Sequence, residues 1–256
     1  MIEGVFDYLY SLWFIEILWA FLIFTVLITI GGVLISLSVH FIPVGGAPAA
    51  MAQATGVGTG TTQLAAGAGL TGLLVSASVS LLTNSFWLIL CLGAIGSALM
   101  IVIVMFMANI VYVYGVGCTP ASGKLQRDPV TKDRQDIYVS KGTEGHGIPT
   151  ICFISGILGG LLGGFGGALI FELLYIYASS GRFFDPITAV SLAVVLSIAL
   201  FFINAVIASY NIAGTIEGYH DPKFKKWPKA VIVSAVMTFI CSLLCFFAVG
   251  NIGGIL

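Results

Sequence analysis

Glu16 and Glu172 are carboxylates inside long apolar runs, and Asn109 and Asn204 are amides in comparable surroundings. A carboxylate within a membrane is costly, so such a residue is read first as a group that handles ions or protons. Amide oxygens are neutral ligands of the kind a sodium ion accepts when it sheds water. These four residues are therefore the candidate ion path. A structural reading competes with it at each of them. Glu16 and Glu172 lie near the outer ends of their runs, where a carboxylate can reach the interface, and an asparagine more commonly bridges two helices.

Other chemistry finds less support. There is no Ser/His/Asp set on a nucleophile elbow, no paired carboxylates and no HExxH, so no catalytic residue is assigned. Cys241 and Cys245 share a helix face at i, i+4, but no His or carboxylate accompanies them, and no metal ligand is assigned. "GVGTGTT" places Gly56, Gly58 and Gly60 without a following lysine or a preceding strand, which excludes a phosphate loop. His40 and His146 sit where helices meet water, and Asp185 before Pro186 has the form of an N-cap.

The elements that must position these groups are membrane helices. Hydrophobic residues make up 59% of the chain and charged residues 8%, with a mean hydropathy of +1.09, far from a soluble protein, in which about a quarter of residues are charged. Apolar runs at Leu12–Val39, Phe86–Tyr114, Ile148–Ala178, Phe184–Ala213 and Ala230–Gly250 each reach the length a helix needs to span. A sixth, Thr59–Leu82, is uncharged but built from small residues. The expected fold is an all-α polytopic membrane protein of six transmembrane helices, with five plus a re-entrant segment as the alternative. It forms one membrane domain over residues 1–256 with loops at 115–147 and 214–229.

Those loops hold 15 of the 21 charged residues. In the six-helix arrangement nine Lys and Arg fall on their side and only Arg182 on the other, which places the loops in the cytoplasm and both termini outside. "HFIP" at His40 recurs as "HGIP" at His146; each precedes a small-residue helix, a short turn and a second helix, with Asp128-Pro129 and Asp221-Pro222 beyond. This suggests a two-hairpin internal repeat, with chance similarity in a biased alphabet as the alternative. In "GILGGLLGGFGGAL", Gly156, Gly160 and Gly164 form one row at i, i+4 and Gly159, Gly163 and Gly167 another. Such a face calls for close backbone approach by a neighbouring helix of this chain or another subunit.

"VHFIPVGGAPAAMAQATGVGTGTTQLAAGAGLTGLL", "YVYGVG" and "YVSKGTEGHGIPTICFISGILGG" closely resemble the D-subunit family of the methanogen tetrahydromethanopterin S-methyltransferase complex, by motif from Gly31 to Gly167. The resemblance implies a membrane subunit of a complex that moves a methyl group from methyl-tetrahydromethanopterin to coenzyme M and exports sodium. It implies a corrinoid on a partner subunit, no cofactor on this chain, sodium as the transported ion, and the C and E membrane subunits and lipids as neighbours, with no nucleic acid. The rival readings are a stand-alone secondary transporter and a purely structural membrane anchor.

Overall fold

The structure, a computed structural model, describes residues 2–44, 59–180 and 184–252. Its elements are helices α1 (Ile2–Val39), α2 (Thr59–Ser80), α3 (Phe86–Ile110), α4 (Thr150–Ser180), α5 (Pro186–Ile212) and α6 (Trp227–Ile252). Five stretches, built on α1 and α3–α6, are long and apolar enough to cross a membrane: Trp19–Val39, Phe86–Val116, Thr150–Ser180, Pro186–Ile212 and Pro222–Gly250, the second and last including the short helices Val111–Val116 and Pro222–Lys226. In hydrocarbon the backbone must satisfy its own hydrogen bonds, and a helix does so without a partner strand. The small-residue run also forms one continuous helix, α2, of 22 residues, which at 1.5 Å per residue is about 33 Å long.

Helix α4 is the centre of the bundle. The buried share of its most apolar stretch is 72%, against 33–44% in the other four spanning helices. It packs against α1, α2, α3 and α5, while α6 closes the far side against α1 and α5. The glycines explain how α4 fits. A Cβ on Gly160 would stand 2.8 Å from Ala98 Cα, and one on Gly164 would stand 2.5 Å from Ser97 Cβ and 2.9 Å from Ala94 Cα, so this row lies on the backbone of α3. Gly159 and Gly163 instead face Ser38 of α1, and Gly166 approaches the Gly31 carbonyl so closely that an added Cβ would sit 2.6 Å from it. Gly167 meets Phe201 of α5 and Leu73 of α2. The neighbours of the glycine face thus include three helices of this chain besides α5.

The loop face is tied down by aspartates. Two short antiparallel strands, β1 (Ala121–Ser122) and β2 (Gly145–His146), pair Ala121 with His146. Asp128 is buried and accepts from the backbone N–H groups of Val130, Thr131 and, at 3.0 Å, Ile151 in the first turn of α4. Asp221 repeats the device: one oxygen accepts from Lys223 N–H and the other from Glu217 N–H. Each Asp-Pro pair thereby folds its own turn, and Asp128 also anchors the start of α4, the use to which aspartate is put in turns and at helix N-termini. At the opposite face Asp185 caps α5 by accepting from Ile187 and Thr188 N–H, with Pro186 next in line.

Candidate functional site

The candidate ion path divides in the structure, and Asn204 is where polar chemistry gathers. Its amide donates to the Leu200 carbonyl at 2.8 Å, and its Oδ1 accepts from the Thr238 hydroxyl at 3.0 Å. Gly32 of α1 completes the junction. A Cβ there would overlap the Thr238 hydroxyl and stand 2.9 Å from Asn204 Nδ2. Three helices, α1, α5 and α6, therefore meet around two neutral oxygens at a point where only glycine leaves them room.

The junction belongs to a longer polar track. On α1, Thr25, Gly32 and Ser36 lie on one face at helical spacing, as do Ser234, Thr238 and Ser242 on α6; Asn204 and Asn211 stand two turns apart on α5. His40 ends the α1 row: its Nδ1 bonds to the Ser36 carbonyl at 2.9 Å, and its Nε2 meets the Asn211 amide at 3.3 Å. The polar faces of α1 and α5 thus touch at two levels. From His40 to Thr25 is 15 residues, about 22 Å of the roughly 30 Å hydrocarbon core. Within this track Thr25, Ser36 and Ser234, together with Ser209 on α5, are fully buried and have hydroxyl oxygens without a hydrogen-bond partner among the described residues. These hydroxyls are the buried side-chain polar groups of the three helices not committed to a partner among the described residues. All four lie on the three helices that meet at Gly32.

The remaining sequence candidates stand elsewhere. Asn109 exchanges two hydrogen bonds with the backbone of Ile148, donating to its carbonyl at 2.9 Å and accepting from its N–H at 2.7 Å, which fastens the "HGIP" segment to α3. Glu172 is 3% exposed and its Oε2 lacks a partner among the described residues. The sequence places its carboxylate within reach of the interface; in the structure the side chain is enclosed by the helices around α4. No hydrogen bond among the described residues joins Glu172, Asn109 and Asn204. The side chain of Glu16 and the segment 45–58, with its "GVG" glycines, lie outside the described residues. Thr238, Gly32, Ser36 and Ser234 were missed in the sequence, although the four-residue spacing of hydroxyls from Ser234 to Ser242 was a legible signal.

His40 gives the loop end of the track a pH dependence. Burial, and behind it the positive charge of Lys226, hold its imidazole below the ordinary value of 6.5, against the pull of the Ser36 carbonyl. The neutral ring is the folded form, so its stabilisation is present in full above pH 6.5 and is lost as the pH falls through the lowered folded value. Thermal unfolding of the wild type should show this loss on acidification. His40→Gln should flatten the dependence in that window; an identical pH profile in the two proteins would show that His40 is not the titrating group.

Comparison with known proteins places the chain. The family model for the D subunit of tetrahydromethanopterin S-methyltransferase matches residues 21–238. The corresponding D subunit of Methanosarcina barkeri is 55% identical over 91% of this chain and 97% of its own length. That of Methanopyrus kandleri is 54% identical over 87% and 94%, and that of Methanocaldococcus jannaschii 52% over 84% and 92%. At this identity and coverage, with the apolar helices that a membrane subunit needs, the chain belongs to the D-subunit family of tetrahydromethanopterin S-methyltransferase.

Proposed function

We propose that this chain is a membrane subunit of a complex that couples methyl transfer from methyl-tetrahydromethanopterin to coenzyme M with sodium export. In that complex it lines part of the sodium path and does not carry the methyl group. The observation that carries the reading is identity of more than half across nearly the full length of its D-subunit relatives. The α1–α5–α6 track supports its sodium half, because it offers buried neutral oxygens over most of a membrane's thickness. The C and E membrane subunits and the corrinoid-carrying subunit are its partners. The excess of Lys and Arg in the loops favours a cytoplasmic position for them, where movement of partner domains bears on the His40 end of the track.

Affinity purification from mild detergent tests the reading against a stand-alone transporter. A tagged copy of this chain should bring down methyl-tetrahydromethanopterin:coenzyme M methyltransferase activity, and vesicles made with that material should take up sodium as methyl groups are transferred. A chain that purifies alone and moves a solute without partners would establish the rival.

A further inference from the structure

On the loop face three side chains of different chemistry converge. Cys152 stands in the first turn of α4, while Glu217 and His220 stand in the α5–α6 loop as a Glu-x-x-His pair in "EGYH". His220 Nε2 is 3.1 Å from Glu217 Oε2 and 4.0 Å from Cys152 Sγ, and all three donor atoms lie within 4.8 Å of one another. Cys152 is 2% exposed, and the side chains of His220 and Glu217 are 7% and 11% exposed. We propose that these residues form a binding site for a divalent ion of the zinc class, with Cys152 Sγ, His220 Nε2 and Glu217 Oε2 as its protein ligands.

Thiolate, imidazole and carboxylate are the three ligand types that zinc takes. Bond lengths of about 2.3 Å to sulfur and 2.0–2.1 Å to nitrogen or oxygen in a tetrahedron put sulfur about 3.6 Å from nitrogen, and nitrogen about 3.3 Å from oxygen. The observed 4.0 and 3.1 Å each lie within about 0.4 Å of those separations, and the sulfur and the carboxylate oxygen stand within 4.8 Å of each other. The carboxylate is already held as a metal ligand should be. Its other oxygen accepts from Gly123 N–H at 2.8 Å, and the Ser122 hydroxyl donates to Oε2 itself. Asp221 accepts from the Glu217 N–H at 3.1 Å and fixes the start of the Glu-x-x-His turn.

A fourth position has room. A cavity of about 20 Å³ lined by Cys152, Glu217, His146, Glu144, Pro43 and Ile148, among others, adjoins the cluster, and about 10–15 Å³ is enough for one water. Three protein ligands with a place for solvent or an incoming donor is the arrangement of an open zinc site. The ion would link the start of α4 to the α5–α6 loop, and through Glu217 to β1.

Metal analysis of the purified complex tests the proposal. The wild type should carry one more zinc per copy of this chain than complexes with Cys152→Ser or His220→Gln. Equal zinc in all three would overturn it. Since a variant can fail to assemble, an experimental density map of the zinc-supplied wild-type complex is the second measurement. A peak bonded to Cys152 Sγ and His220 Nε2 supports the site; a direct His220–Glu217 hydrogen bond with no peak overturns it.

Discussion

Gly164→Ala should destabilise the protein, and Gly164→Val should prevent this subunit from being recovered in its complex. The alanine methyl would stand 2.5 Å from Ser97 Cβ, 2.9 Å from Ala94 Cα and 2.9 Å from the Gly93 carbonyl oxygen. Two of these three neighbours are backbone atoms of α3, so rotating a side chain gives no relief and the helices must separate. Overpacking of this kind costs about 1–3 kcal/mol for a methyl, or about 2–12 °C of melting temperature at this chain length. A valine adds two more carbons against the same wall. Gly67→Ala is the matched control, since a Cβ there meets nothing within 4 Å. It should be neutral, or gain up to about 1 kcal/mol from helix propensity. Thermal unfolding of the purified complexes checks both. Equal melting temperatures for Gly164→Ala and Gly67→Ala would show that α3 and α4 do not touch along this row.

Asn204→Leu should uncouple sodium movement from methyl transfer with little loss of stability. Leucine keeps the branched shape of asparagine but removes the Oδ1 that accepts from Thr238 and the amide that donates to Leu200. Magnitudes separate the two readings of this residue. As interhelical glue its hydrogen bond is worth about 0.6 kcal/mol on average, and at most about 1.7, in a membrane protein. As a ligand that replaces water around a sodium ion, its oxygen has no substitute in a leucine. The glue reading therefore predicts a melting temperature lowered by a few degrees and unchanged coupling. The ion-path reading predicts the same small shift and at least a tenfold fall in sodium transport. Glu172→Gln, which keeps shape and removes charge, reports on α4 in the same assay; coupling unchanged in both variants would remove these residues from the path.

What the sequence disclosed and what it withheld have the same physical root. Length and hydropathy reveal a membrane helix because its backbone must be satisfied locally, and so α1 and α3–α6 were legible, as was the Asp185 cap. Spacing revealed the glycine face of α4, but not that α1 and α3 cover it, since a helix of this chain and one of another subunit call for the same glycines. Glu172 looked able to reach water because depth was counted along the helix, whereas burial is set by the helices around it. Asn109 and Asn204 looked equivalent. Only tertiary structure distinguishes an amide bound to the Ile148 backbone from one facing Thr238 and Gly32. Cys152 and the Glu217–His220 pair are some 65 residues apart and on different elements, so nothing local in the sequence joined them.

Under the proposed function, passage of sodium along the α1–α5–α6 track would set how many sodium ions enter a vesicle for each methyl group transferred to coenzyme M. That ratio can be measured side by side in vesicles carrying wild-type or Asn204→Leu complex. It should collapse by at least tenfold in the variant while the complex stays assembled. A wild-type ratio in vesicles of the intact variant complex would refute passage along the track and leave Asn204 and Thr238 as helix-packing residues alone.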